Sequence, residues 1–246
     1  MRDILKYTLL PLFLFQACSD EIKKEKFDID WIYSDEGRMV GASYNTAWIN
    51  DNTMYLMDMR KPKEERTLLK MNPSLSMKMV PVVDSEKISK SILSAVGRTD
   101  TSMYIEWPSS FSSTGNHGIF FFEEDIYMLD VPNESYRRVT NTKSEEKAAR
   151  FSPDGKKISF VRENDIYIYD IRTQKEKRIT FSGSETNLNG TVSWVYWEEI
   201  FGRKDLGYWW SDDSKAIAFL NPDESEVTKM HSVHWKPAES ELITQR

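Results

Sequence analysis

From Phe27 onward, short apolar-rich runs alternate with polar turns. Trp31–Tyr33 and Met39–Tyr44 flank Ser34-Asp35-Glu36-Gly37. Ala47–Ile49 and Met54–Met59 flank Asn50-Asp51-Asn52. Short runs bounded by such residues predict β-strands joined by tight turns. One stretch has a different period. Ile88, Ile92 and Val96 recur every fourth residue, Asp84 precedes them as a candidate N-cap, and Gly97 follows as a stop. That spacing predicts one short amphipathic helix lying on a surface.

A repeat begins near Phe111. FSSTGNHGIF at 111–120 aligns with FSPDGKKISF at 151–160, and Asp125-Ile126-Tyr127 aligns with Asp165-Ile166-Tyr167. Asp130 and Asp170, Arg138 and Arg178, and Thr140 and Thr180 keep the same offset of 40. Ser152-Pro153-Asp154-Gly155 is a turn, with glycine able to take positive φ. Ile158–Val161 and Ile166–Ile171 are then a hairpin with both faces apolar, as in a strand covered on both sides. A period near 40 with several strands per unit is the mark of a β-propeller. The predicted fold is all-β: a partial propeller of four-stranded blades over residues 27–246.

The third copy, WSDDSKAIAF at 210–219, comes late. Trp210 follows Phe151 by 59 positions rather than 40, a surplus of 19. The surplus contains WVYWEEIFGR, residues 194–203. A repeat unit needs no such insert to fold, so this insert is the candidate functional element. Glu198 and Glu199 stand among Trp194, Tyr196, Trp197 and Phe201. On a helix, two adjacent carboxylates can both reach one small object. Held together they repel, and a cation between them relieves the cost. A primary ammonium, with three donors, suits two carboxylates and one further acceptor. The plainer alternative is a solvated acidic pair facing Arg203 or Lys204. No His or Cys lies nearby to complete a metal site. His231 and His234 form only a weak HxxH signal in a β-like tail. Neither metal nor cofactor is expected.

The chain has 246 residues with a net charge of −6, both signs interspersed and no basic stripe. Nucleic acid is not an expected partner. At the N-terminus, Arg2 and Lys6 precede an apolar run from Tyr7 to Phe15. Cys18, the single cysteine, follows, and residues 19–26 are polar. A run this short is a secretory signal rather than a membrane span. It resembles a bacterial lipoprotein signal over residues 1–17, with Cys18 lipidated and 18–26 a tether, although Phe15 stands where Leu is usual. The expected location is therefore a bacterial cell envelope, with membrane contact through the lipid anchor alone.

Taken together, ARFSPDGKKISFVRENDIYIYDI, Leu188-Asn189-Gly190, WVYWEEIFGR, GYWWSDDSKAIAF and DESEV resemble the propeller domain of dipeptidyl peptidase IV and its relatives in the prolyl oligopeptidase clan. The resemblance runs from Lys147 to Val227 and more weakly from Trp31 to Arg246. It implies an eight-bladed propeller capping an α/β-hydrolase domain. It also implies that Glu198 and Glu199 bind the free N-terminal amine of a peptide, favouring the binding reading over the solvated pair. A substrate-contacting Arg of that family has no counterpart between Phe120 and Asp130. No GxSxG nucleophile elbow occurs in the 246 residues. The chain therefore reads as an N-terminal fragment of a dipeptidyl aminopeptidase, with peptides as partners and a homodimer expected only of the full-length protein. The alternative is a non-catalytic, lipid-anchored, propeller-like module that binds peptides or proteins.

Overall fold

A computed structural model describes residues 28–50, 52–99, 102–235 and 240–245. The signal, Cys18 and the tether lie outside the described residues. The chain divides into two units, residues 1–41 and 42–246.

In the first unit the structure corrects the predicted strands. Residues Ile29–Tyr33 form helix α1 and Asp35–Gly41 form helix α2. The Asp28 carboxylate accepts the Trp31 backbone N–H at 2.7 Å and starts α1. Ser34 then does two jobs. Its hydroxyl donates to the Trp31 carbonyl at 2.7 Å and accepts the Gly37 N–H at 3.1 Å. A serine that accepts from the third residue onward is an N-cap, so the apparent hairpin turn is a helix start.

The second unit is built from consecutive antiparallel meanders. Strands β1 (Tyr44–Asn50), β2 (Thr53–Asp58), β3 (Leu69–Asn72) and β4 (Ser76–Pro81) form the first four-stranded sheet in chain order. Strands β5 (Ser110–Phe111), β6 (His117–Phe122), β7 (Asp125–Asp130) and β8 (Ser135–Arg138) form the second. The third is β9 (Glu146–Phe151), β10 (Lys157–Arg162), β11 (Asp165–Asp170) and β12 (Lys175–Arg178). Two hairpins follow: β13 (Tyr208–Trp210) with β14 (Ile217–Phe219), and β15 (Met230–Trp235) with β16 (Ser240–Gln245). His231 and His234 both lie on β15, opposite Thr244 and Glu241.

Between the first two sheets runs helix α3, Ser85–Val96. Asp84 is its N-cap, accepting the Lys87 N–H, and Gly97 closes it in the left-handed region at φ 75°. Ile88 and Ile92 are its buried residues, as the period predicts. Each buried isoleucine contributes roughly 1.5–3 kcal/mol. A cap contributes about 1 kcal/mol. Packing therefore decides that this helix exists, and the caps decide where it ends.

The core lies between the sheets. Met57, Leu68, Ile88, Ile92 and Leu129 pack the first sheet and α3 against the second. Ile119, Met128, Phe151, Ile158 and Phe160 fill the space between the second and third. Val161, Ile166 and Tyr208 join the third to the β13–β14 hairpin. Strands β10 and β11 are covered on both faces, which explains why they carry no polar alternation.

The 40-residue period has a polar cause as well. The Asp125 and Asp165 side chains are buried, paired to Arg138 and Arg178. Arg138 Nε donates to the Thr140 carbonyl and Arg178 Nε to the Thr180 carbonyl, both at 2.9 Å. The two threonine hydroxyls accept the N–H groups of Ile126 and Ile166 at 2.8 and 2.9 Å. A buried carboxylate needs such partners, so the Asp, Arg and Thr of each unit recur together.

Candidate amine-binding insert

The insert leaves the sheet at Gly190 and returns at Gly207. The Gly207 N–H donates to the Gly190 carbonyl, and the Leu220 N–H donates to the Gly207 carbonyl, both at 2.8 Å. Gly190 sits at φ 81°, where a Cβ would stand 2.8 Å from Ile166 Cγ1. Both facts demand glycine. Beside it, Asn189 is buried and ties three segments together. Its amide donates to Asp165 Oδ1 at 3.0 Å and to Ser182 Oγ at 3.1 Å, and its carbonyl accepts from Asn221 at 3.0 Å. The Leu188-Asn189-Gly190 motif is thus the anchor of the outgoing arm.

The returning arm is anchored by Tyr208, which is fully buried. Its hydroxyl donates to the Ala148 carbonyl at 2.5 Å. Ala148 lies at a β-bulge in β9 and has φ 54°, an unfavourable value for alanine. Bulges of this kind re-aim backbone groups. Here the re-aimed carbonyl meets the tyrosine that ends the insert. Burial raises the Tyr208 hydroxyl pKa, keeping it a neutral donor. Across the loop, Asp205 Oδ1 accepts the Val192 N–H at 3.1 Å.

At the tip, Tyr196–Ile200 form a π-helical turn. The Phe201 N–H donates to the Tyr196 carbonyl at 2.9 Å, five residues back. Gly202 and Arg203 then take positive φ, at 58° and 63°, and the turn ends. The insert is helical, as expected, but wound more loosely than an α-helix. Such turns are rare and occur frequently at functional sites.

Glu198 and Glu199 are both on this turn. The Glu198 side chain keeps 30% of its exposure and Glu199 is exposed. Arg203 approaches Glu198 Oε1 at 3.5 Å with its own side chain 73% exposed. The ion pair weighed as the plainer alternative is therefore present at Glu198, but it is long and solvated, worth about 0–1 kcal/mol. Of the four aromatics, Trp197 and Phe201 are partly buried, and Phe201 tilts against Trp209 with ring centroids 6.4 Å apart. Trp194 is 61% and Tyr196 48% exposed, as are the neighbouring Val195 and Ile200 to similar extents. Exposed aromatic surface gathered on one tip is a feature of binding sites.

Among the described residues no group of three or more His, Cys, Asp or Glu could hold a metal. No described helix is long and apolar enough to cross a membrane. Sequence reasoning overlooked the Asn189–Asp165–Asn221 network. The signal was the repeated aspartate, whose partners include the residue opening the insert.

Residues 111–246 match the family described as the dipeptidyl peptidase IV (DPP IV) N-terminal region. A 45-residue stretch is 49% identical to the dipeptidyl aminopeptidase B of Saccharomyces cerevisiae, covering 18% of this chain and 5% of that protein. The probable dipeptidyl-aminopeptidase B of Talaromyces stipitatus is 47% identical over 45 residues, with the same coverage. The crystal structure of Porphyromonas gingivalis dipeptidyl peptidase 4 superposes with a TM-score of 0.64 at 22% identity, covering 89% of this chain and 31% of that one. The chain thus matches a small part of each of these proteins' length. The curated relatives are fungal and yeast proteins, which overturns the expected bacterial cell-envelope location. A basic start and a short apolar run are defined by charge and hydropathy, and neither carries a lineage. The matched region spans nearly all of the second sheet, the third sheet, the insert and the two hairpins, and the chain belongs to the dipeptidyl peptidase IV N-terminal region family.

Proposed function

We propose that this chain forms the substrate-capturing part of a dipeptidyl aminopeptidase, with Glu198 and Glu199 receiving the free N-terminal amine of a peptide. The observation that carries the reading is the tip of the insert: two adjacent carboxylates on a π-helical turn whose base is fastened at Gly190, Asn189 and Tyr208. A rigid base matters because a charged hydrogen bond is gained only if its acceptor is already in place. The long Arg203 contact is the one an incoming ammonium displaces. The exposed Trp194 and Tyr196 offer apolar surface to the first side chains of the peptide. Cleavage needs a nucleophile and base, which this reading assigns to a hydrolase domain outside these 246 residues.

Each charged hydrogen bond to the ammonium is worth roughly 1.5–3 kcal/mol. Glu198→Gln and Glu199→Gln each keep the side-chain shape and remove the charge. Each is expected to weaken binding of a free-amine peptide by about 10-fold or more, read by calorimetric titration. Unchanged affinity in both variants sinks the proposed role.

A further inference from the structure

A cavity of about 310 Å³ lies between α3 and the second sheet, away from the Glu198 turn in the chain and sharing no residue with it. Its walls are apolar and aromatic, with Ile92 and Val96 from α3, Ile105, and Phe120 and Phe122 from β6. One polar group stands out. Tyr136, on β8, lines the cavity, and its hydroxyl is buried with no hydrogen-bond partner among the described residues. Buried hydroxyls in native proteins are nearly always bonded, so an orphan beside open space asks for an acceptor that occupies the space.

Tyr136 is held in this position from two sides. Its ring tilts against Phe120 at a centroid distance of 5.0 Å. Its backbone N–H donates to Ser91 Oγ on α3 at 2.7 Å. Burial, reinforced by the negative charge of Glu106, holds the phenol pKa well above its ordinary value. The hydroxyl is therefore a neutral donor at any working pH.

The rim decides the charge of the occupant. Lys63 and Arg66 both line the cavity. Arg66 is committed to backbone carbonyls, donating to Lys61 at 2.8 Å and Met59 at 3.1 Å. Lys63 pairs with Glu106 at 3.9 Å. The solvent-exposed rim thus carries both signs of charge, which largely offset each other, while the interior beside Tyr136 is apolar. An apolar interior disfavours a charged occupant.

We propose that this cavity binds a small uncharged aromatic or alkyl-aryl molecule carrying one hydrogen-bond acceptor, which takes the Tyr136 hydroxyl proton. The volume is at the lower end of small-molecule sites and suits a molecule of about a dozen heavy atoms. Aromatic walls give the ring its contacts, and the buried Tyr136 hydroxyl sets its orientation.

The test uses the full chain and two fluorinated probes of equal shape, followed by fluorine NMR. 4-Fluorobutyrophenone has a carbonyl acceptor, and 1-butyl-4-fluorobenzene has none. The ketone is expected to bind with Kd below about 1 mM and more tightly than the hydrocarbon. Tyr136→Phe, which keeps the ring, is expected to weaken the ketone about five- to tenfold and leave the hydrocarbon unchanged. Ala95→Phe, which fills the cavity from α3, is expected to abolish both. Circular dichroism establishes that each variant is folded. Failure of the folded wild-type protein to bind the ketone at about 1 mM would mean that water alone satisfies Tyr136, and it overturns the proposal. Equal ketone affinity in wild type and Tyr136→Phe overturns it as well.

Discussion

Gly190 shows how much the site depends on single residues. Its φ of 81° and the Ile166 methylene 2.8 Å from a would-be Cβ leave no room for a side chain. Gly190→Ala is expected to destabilise the protein by about 1–3 kcal/mol, read as a lower urea midpoint with an unchanged slope. Because Gly190 opens the insert, the same variant is expected to weaken peptide capture although it lies outside the carboxylate pair. Asp58 gives a second residue-scale expectation. The Arg60 hydrogen bond beside it lowers its pKa from 3.8 to about 2. A carboxylate with a depressed folded pKa adds stability above its unfolded pKa and loses it as pH falls. Its contribution is therefore complete above pH 3.8 and disappears as pH falls to about 2. Asp58→Asn is expected to lose less stability than wild type over that window, as measured by urea unfolding at stepped pH.

At the scale of elements, the repeated Asp–Arg–Thr set defines a blade. Asp165 is buried with Arg178, Thr180 and Asn189 as partners. Removing one partner of a buried ion pair costs about 3–5 kcal/mol, because the other is left uncompensated. Arg178 keeps some exposure, so Asp165→Ala is expected toward the lower end, by chemical denaturation, with Asp125→Ala similar. The difference between them isolates Asn189: only Asp165→Ala frees the outgoing arm of the insert, so only it is also expected to weaken the proposed peptide binding. Much of this element order was legible in the chain. The offset of 40 marked the second and third sheets, because turn glycines and buried Asp–Arg pairs tolerate few other residues. Helix α3 was legible from its caps and its four-residue period. The first sheet was not recognised as another unit, because β1–β4 carry neither the SPDG-type turn nor the Asp-Ile-Tyr run. Trp31–Tyr33 and Met39–Gly41 are helical where their pattern predicts strand, whereas Tyr44 does begin β1. Ile32, Tyr33, Met39 and Val40 are exposed in the structure, so their pattern records no buried face from which a period could be judged. The insert was legible as a departure from the period, but its π-helical winding was not, since no local residue pattern distinguishes it from an α-turn.

Across the second unit, successive repeats are stitched through their turns. Ser113 Oγ donates to the Pro153 carbonyl at 2.8 Å, and the Asp154 N–H donates to Ser214 Oγ at 2.9 Å. Gly115, Gly155 and Ser214 occupy the same place in three successive turns, with φ of 73°, 67° and 59°. Each donates its N–H at 2.8 Å to the serine three residues back. Serine at the third position accepts backbone strain and gains the link to Asp154. Ser214→Gly relieves the strain but loses the link, whereas Ser214→Ala loses the link and keeps the strain. Ser214→Ala is thus expected to be the less stable of the two, by roughly 1 kcal/mol. Hydrogen exchange of the Asp154 amide is expected to quicken in both. A scaffold joined in this way holds the base of the insert still, so that its tip, as proposed, reads a peptide's free amine. The most direct measurement is calorimetric titration of one short peptide with proline second, offered once with a free N-terminus and once N-acetylated. Acetylation is expected to weaken binding by about 10-fold or more, since it removes the ammonium that the two carboxylates would hold. Equal affinity for the two peptides would contradict the proposed amine binding.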